Sequence, residues 1–496
     1  MKTSGALLAG AALIAGLLLV SGGEEADPLT PPGLSGMPPP FLGVAVLGSG
    51  ELTAAVDAYG NVVDLRRSPA GRALVENPAE RQAAGTVEED TGIQVWVRRG
   101  ADEVPMWQAD EVRQRYLPGS NVLRTEARFG RDRIRIEQAA EGGELAIVAL
   151  GPNSSSVRLR VNAEGAEVTE SPRVLAEAAA SDRNWLARAR PLGAGAPAWA
   201  SRMYERSLLV LRALTDRRSG AVAAGARDDW AYVWPRDASA AAMAYAAAGY
   251  RSEAERVTRF LLGLGLGHAA RFHGDGSPVP GREAQGDAIG WVAAASQAAR
   301  LIGSAGQAAD ILAGGGPIPW RDRADYWEGE PGIYLGNALS ARADVSEFSR
   351  HRWGGNSDTP LRSGLVRRSG DSDSGLDAAA AWAVRPFSRP RFYPAARITL
   401  HRLVAQGTRF GITPGEGWPG GDDPWSAPTA WTAWSLAALG ERREALELMG
   451  ALRRSATLAG DLPERVDAKT GVPRSTTPLA WSHAFAILAL RELWPS

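Results

Sequence analysis

A change of hydrophobic period part-way along this chain limits its fold more than any other feature. Between Phe41 and about Val168, apolar and polar residues alternate over short runs broken by turn residues; from Trp199 onward the apolar positions recur three and four residues apart, as Tyr204, Leu208 and Leu211 do. A period of two fits a strand with one wet face, and a period near 3.6 fits a helix with one apolar stripe. The chain therefore has to build a β half and then an all-α half.

In the β half the pattern predicts strands over residues 43–48, 52–57, 61–66, 92–97, 121–129, 132–137, 144–150 and 156–161, with hairpin signals at Ala58-Tyr59-Gly60 and Gly130-Arg131. An antiparallel β-sandwich over residues 41–168 is the simplest outcome. Residues 169–198 are rich in Glu, Ala, Arg, Gly and Pro without a strong period, and are expected to link the two halves. In the α half, helices are predicted over residues 238–249, 252–264, 288–302, 376–383, 394–406, 427–439, 442–458 and 479–493. Roughly ten to twelve helices with no strands between them are too many for a simple bundle and suggest helical hairpins set in a ring. This places an all-α domain at residues 199–496.

Ahead of the sandwich, residues 1–23 carry Lys2 and an apolar run over residues 6–20, the pattern of an export signal or of a retained membrane anchor. Residues 24–40, which end in Met37-Pro38-Pro39-Pro40, read as a proline-rich linker. The expected location is outside the cell or at its surface. Lys plus Arg number 55 against 56 for Asp plus Glu, so there is no field of one sign to attract nucleic acid, and a membrane would be met only through the N-terminal segment. Cysteine is absent, which excludes disulfides, thiolate metal sites and a cysteine nucleophile. Tryptophan, at 17 residues, outnumbers tyrosine and phenylalanine at 9 each, a bias suited to flat faces that meet sugar rings or other planar ligands.

The unusual residues of the α half gather in the segments between helices. They are YVWPRDA at 232–238, QGD at 285–287, DYWEGE at 325–330, GEGWPGGDDPW at 415–425 and LPERVDAKTGVPRSTTPLAWSHA at 462–484. Polar and aromatic residues on loops of one scaffold are a functional signal. In this order the segments resemble glycoside hydrolase family 15, the glucoamylase and glucodextranase family, and residues 41–168 look like the sandwich that its bacterial members carry before the catalytic domain. The resemblance implies an (α/α)6 barrel and an inverting exo-acting hydrolase that releases β-glucose from the non-reducing end of α-linked glucans or glucosides.

Under that resemblance Glu464 is the general base, facing a water molecule, and Glu328 the general acid, with Glu330 as its competitor. An inverting pair stands roughly 6.5–9.5 Å apart. Arg236 and Asp237 would hold the hydroxyls of the innermost sugar, Trp234, Trp327 and Trp425 would wall the pocket, and Gln285 and Asp287 would support the loop or the sugar. Read without the family, each has a plainer role: an exposed loop Glu464, a helix cap at Asp237 or Asp287, and buried core for the tryptophans. His483 is expected to be buried behind the base with a structural role. Arg465 and Gly286 depart from the family pattern. No cofactor is required and no His, Asp and Glu cluster has catalytic-metal spacing; Asp422-Asp423 and Asp371-Ser372-Asp373 are where a structural calcium would sit. The partner is an oligo- or polysaccharide. Two alternatives keep the same fold: a catalytically degenerate, membrane-tethered carbohydrate-binding protein, suggested by the compact α half and the two departures, and a disaccharide phosphorylase, which would need no carboxylate base.

Overall fold

The structure is a computed structural model that describes residues 38, 40–76, 92–163, 165, 167–303, 305–314, 319–348 and 364–496. The expected export signal and nearly all of the expected linker lie outside these residues.

The β half folds as two sheets. Strands β1 (Gly43–Gly48), β2 (Thr53–Asp57), β3 (Val62–Arg66), β4 (Ala73–Glu76), β5 (Gly92–Arg99), β6 (Asp102–Pro105), β7 (Glu111–Tyr116), β8 (Leu123–Phe129), β9 (Asp132–Glu141), β10 (Glu144–Leu150), β11 (Val157–Asn162) and β12 (Val168–Thr169) follow in chain order. One sheet runs β1-β2-β3-β5-β11, with β4 beside β3 and β6 beside β5; the other runs β12-β10-β9-β8-β7. Every pairing within them is antiparallel except β10 with β12. Val95 and Val97 of β5 share a core with Val112 of β7, Phe129 of β8 and Ile136 of β9, so the sheets pack face to face.

Residues 169–198 are not merely a connection. Pro172–Leu186 forms helix α1, which lies on β9 and β10 through Val174, Leu175, Ala178 and Ala179. That stripe is narrow and half alanine, which is why the segment shows so little period.

The remaining helices are α2 (Ala198–Leu214), α3 (Pro235–Ala247), α4 (Arg251–Leu262), α5 (Ala288–Ala298), α6 (Ala305–Leu312), α7 (Leu335–Ser340), α8 (Tyr393–Gln406), α9 (Ser426–Ala438), α10 (Arg442–Ser455) and α11 (Ala480–Leu493), with a 3-10 segment at Ala378–Ala383 between α7 and α8. α3, α9 and α11 are buried over nearly their whole length, whereas α4 and α10 bury one stripe. α3 packs on α5, α5 on α7, α7 on the 3-10 segment, that segment on α9, α9 on α11, and α11 back on α3. Against this succession lie α2 on α11, α4 on α3, α6 on α5, α8 on the 3-10 segment and α10 on α9. β1 packs on α2, and Val46 and Ala55 of the first sheet join the core of the helical half.

The α half also holds strands, contrary to the expectation that it has none. β13 (Val366–Arg368) and β14 (Asp371–Leu376) form a hairpin whose turn uses Gly370 at φ 70°. The helix predicted over residues 376–383 is the end of β14 followed by the 3-10 segment, which Asp377 starts by accepting the Ala379 N–H at 2.7 Å.

Candidate active site

The floor of the site begins at the start of α3. Trp234 precedes a proline and is extended (φ −91°, ψ 128°), Pro235 opens the helix, and Arg236 and Asp237 fall in its buried first turn. Arg236 donates to Gln285 Oε1 at 2.7 Å and to Asp287 Oδ2 at 3.1 Å, and its Nη2 stands 3.4 Å from Asp237 Oδ2. The guanidinium lies over the Trp481 ring at 4.6 Å. Burial, opposed by Arg236 and reinforced by the Asp287 and Glu464 carboxylates, pushes the Asp237 carboxyl up to about 7. Asp237 Oδ2 and Asp287 Oδ1 accept no hydrogen bond although both are buried, and the Asp287 side chain does not cap α5. Asp287 Oδ1, and Asp237 Oδ2 beyond its ion pair with Arg236, have acceptor capacity that matches a ligand bringing hydroxyl donors.

Glu328 stands at the wall. Asp325 fixes its loop: the carboxylate takes both Nε and Nη2 of Arg367, at 2.9 and 2.8 Å, and the Asp325 carbonyl accepts the Glu328 N–H at 2.9 Å. Arg367 comes from β13 and also covers Trp327, 3.9 Å from its ring centre. Glu328 Oε1 accepts Trp234 Nε1–H at 2.9 Å and Gln285 Nε2–H at 3.1 Å, and Oε2 is ion-paired with Arg282. Its backbone is in the left-handed region at φ 57°, a conformation that costs a non-glycine residue about 1–2 kcal/mol. Glu330 is exposed and tied in through its carbonyl, which accepts the Tyr334 hydroxyl.

Glu464 follows a loop bonded at every residue. Asp461 is ion-paired with Arg206 at 3.2 Å; Leu462 N–H donates to His483 Nε2 at 2.9 Å; the Pro463 carbonyl accepts Ser426 Oγ–H; and Glu464 donates its N–H to the Thr476 carbonyl at 2.9 Å. Trp230 Nε1–H reaches Glu464 Oε1 at 3.2 Å, and Ser475 Oγ–H donates to Oε2. His483 is fully buried, with Nδ1 2.9 Å from Ser207 Oγ, and burial holds its pKa well below the ordinary range.

Arg282 pairs with Glu328, and burial, together with the charge of Arg271, lowers its pKa against the opposing pull of the Asp229 and Glu464 carboxylates. Aromatic rings extend the wall: Trp327 meets Trp418 edge-on at 5.0 Å, and Trp418 meets Trp425 likewise at 5.0 Å. Of the residues singled out from the sequence, Trp234, Arg236, Asp237, Gln285, Asp287 and Glu328 are thus joined in one bonded group, Trp327 and Trp425 are linked through Trp418, and the Glu464 carboxylate is held by Trp230 and Ser475. Arg282, Trp230, Ser475, Arg367, Trp418 and Trp481 were not anticipated; Ser475, Trp418 and Trp481 lie in motifs that were and Trp230 stands two residues before one, while Arg282 is one arginine among many.

Both acidic segments considered for calcium accept a backbone N–H. Asp371 Oδ1 accepts the Asp373 N–H at 3.1 Å, and Asp423 Oδ1 accepts the Ala468 N–H at 3.1 Å. Among the described residues no group of three or more His, Asp or Glu is placed to hold a metal ion.

No protein-family model and no curated protein matches the chain. Among solved structures it is similar to a bacterial glucoamylase complexed with acarbose, with a TM-score of 0.62 at 14% sequence identity over 93% of this chain and 96% of that one. A wild-type glycosidase is also similar, with a TM-score of 0.48 at 21% identity over 63% of this chain and 98% of its own. So is the glucoamylase from Saccharomycopsis fibuligera, with a TM-score of 0.47 at 14% identity over 60% and 94%. The bacterial glucoamylase and this chain share a fold.

Proposed function

We propose that this chain is an inverting, exo-acting glycoside hydrolase of the glucoamylase and glucodextranase type, which releases β-glucose from the non-reducing end of α-linked glucans or glucosides. The observation that carries it is Gln285, which accepts from Arg236 and donates to the Glu328 carboxylate and so joins that loop-borne glutamate to the buried group of Arg236, Asp237 and Asp287. The succession of packed helices from α3 round to α11 is, on this proposal, the inner ring of an (α/α)6 barrel. The chain divides into a sandwich (41–168), a connection that contains α1 (169–198) and a catalytic domain (199–496).

In the reaction the terminal glucose rests on the Arg236 donors and the acceptors of Asp237 and Asp287. Glu328 gives a proton to the departing glycosidic oxygen. Glu464, held as an acceptor by Trp230 and Ser475, takes a proton from the water that attacks the anomeric carbon from the opposite face. A carboxylate paired with a guanidinium is deprotonated, so sugar entry has to separate Arg282 from Glu328 before that residue can act as the acid. No residue in this scheme calls for a cofactor. The apolar run at residues 6–20 supports export; among the described residues no helix is long and apolar enough to cross a membrane.

The Arg282–Glu328 ion pair also favours a second reading, a carbohydrate-binding protein of the same fold in which the acid stays disarmed. A proton NMR time course on a panel of α-linked glucosides separates the two. Early β-anomer signal supports hydrolysis with inversion; α-anomer first, or binding of acarbose without turnover of any glucoside, ends the primary proposal.

A further inference from the structure

The sandwich touches the loop that carries Glu464. Tyr116, the last residue of β7, reaches out of its sheet: its hydroxyl accepts the Val46 N–H at 2.8 Å, and its own hydrogen is shared between the Val46 carbonyl and the charged Asp461 Oδ2, each at 2.8 Å. Asp461 is completely buried and stands three residues before Glu464. Its other oxygen faces Arg206 of α2 at 3.2 Å, and that guanidinium lies over the Tyr116 ring, 3.7 Å from its centre. Arg206 is in turn bonded to the Ser120 carbonyl at 3.2 Å and to Asn121, both in the turn between β7 and β8.

A buried carboxylate that loses a donor is left with an unmet charge, so it moves or takes up a proton. The Asp461 segment has little slack to absorb such a move, because Leu462, Pro463 and Glu464 are each bonded to a different element. A shift at Asp461 is therefore passed along three peptide units to the glutamate. Nothing on Tyr116 faces the sugar floor, so the same shift leaves Arg236 and Asp237 where they are.

We infer that Tyr116 is a positioning residue for Glu464, acting through Asp461, and that the β-sandwich is in this sense part of the hydrolytic machinery. The inference rests on Glu464 being the base as proposed above.

The test uses the full chain and Tyr116→Phe, which keeps the ring over Arg206 and removes one oxygen. With maltose and with α-glucosyl fluoride, kcat is expected to fall about tenfold or more while KM changes by less than about twofold. The fluoride departs without a proton, so a defect that persists on it lies on the water side of the reaction and not with Glu328. Amide hydrogen exchange over residues 457–466 should quicken in Tyr116→Phe and in Asp461→Asn, with exchange in α3 unchanged. If Tyr116→Phe keeps the wild-type kcat while Glu464→Gln is inactive, the positioning role is wrong and the assignment of the base stands. If the wild type turns over no glucoside, the hydrolase proposal fails instead, and exchange over residues 457–466 still decides: unchanged protection in Tyr116→Phe overturns the link between the sandwich and this loop.

Discussion

The loops that carry Glu328 and Glu464 are alike at one end and opposite at the other. In each, the glutamate follows by three residues a buried aspartate held by an arginine: Asp325 by Arg367 and Asp461 by Arg206. From there they diverge. The Glu464 loop is fixed largely through its backbone, whereas the Glu328 carboxylate is held by three side chains, Trp234, Gln285 and Arg282, at a residue whose own backbone is left-handed. Backbone anchoring sets a group before any ligand arrives. Side-chain anchoring, above all by an arginine that is 39% exposed, sets it in a way that a ligand can undo. A base that must hold one water in line needs the first kind; an acid that must gain a proton and lose it in each turnover tolerates the second.

The sharpest way to break this contrast is to remove each carboxylate in turn. Glu464→Gln should lower kcat by about 10³-fold on both maltose and α-glucosyl fluoride, whereas Glu328→Gln should lose about as much on maltose and little on the fluoride. Equal losses on both substrates for both variants would erase the division of labour.

Next in size are the arginines behind the loops. Arg367→Met and Arg206→Met each strand a buried aspartate, and each should cost about 3 kcal/mol of stability in urea unfolding. Their kinetic defects should separate: that of Arg367→Met should shrink on the fluoride and that of Arg206→Met should not. Ser475→Ala, which takes one donor from Glu464, should lower kcat severalfold with KM nearly constant, an effect of about 1 kcal/mol.

The smallest effect is one of pH. Burial pushes the Asp377 carboxyl, which accepts the Tyr326 hydroxyl behind the Glu328 loop at 2.6 Å, from its ordinary 3.8 up to about 7. Between those values the folded protein keeps a proton that the unfolded chain has released, so this group's stabilisation is complete at low pH and is lost as pH rises through the window. Asp237, also at about 7, acts in the same direction. Scanning calorimetry should show Tm falling from pH 4 to pH 7, and Asp377→Asn should flatten that fall.

Much of this site was legible because its residues travel in short motifs. Trp234, Arg236 and Asp237 are fixed by a proline at a helix start, and Asp325 to Glu328 by one turn of loop, so local sequence carries their geometry. What stayed hidden depends on long-range partners. Arg282 owes its role to a glutamate 46 residues away, in a chain where nearly every basic residue is arginine. The fold divides in the same way. Strand β7, Glu111–Tyr116, alternates strictly between exposed and buried, yet one of its inward residues is Gln114, which bonds the Asp57 carbonyl at 2.9 Å, so an apolar pattern does not reveal it. The β13–β14 hairpin is built from Asp, Ser, Gly and Arg, and it exists because its strands pair with each other and Arg367 is drawn to Asp325.

The contact of α11 with α3 has a consequence for the order in which the molecule is made. α3 is synthesised more than two hundred residues before the helix that covers it, and α11 also supplies a neighbour for α2 and α9. Until Ala480–Leu493 has left the ribosome, the apolar flanks of three helices have no cover, and the Glu464 loop lacks the His483 that fixes it. The helical half can gather its hairpins as they emerge, but the Glu464 loop is fixed only once α11 has joined them.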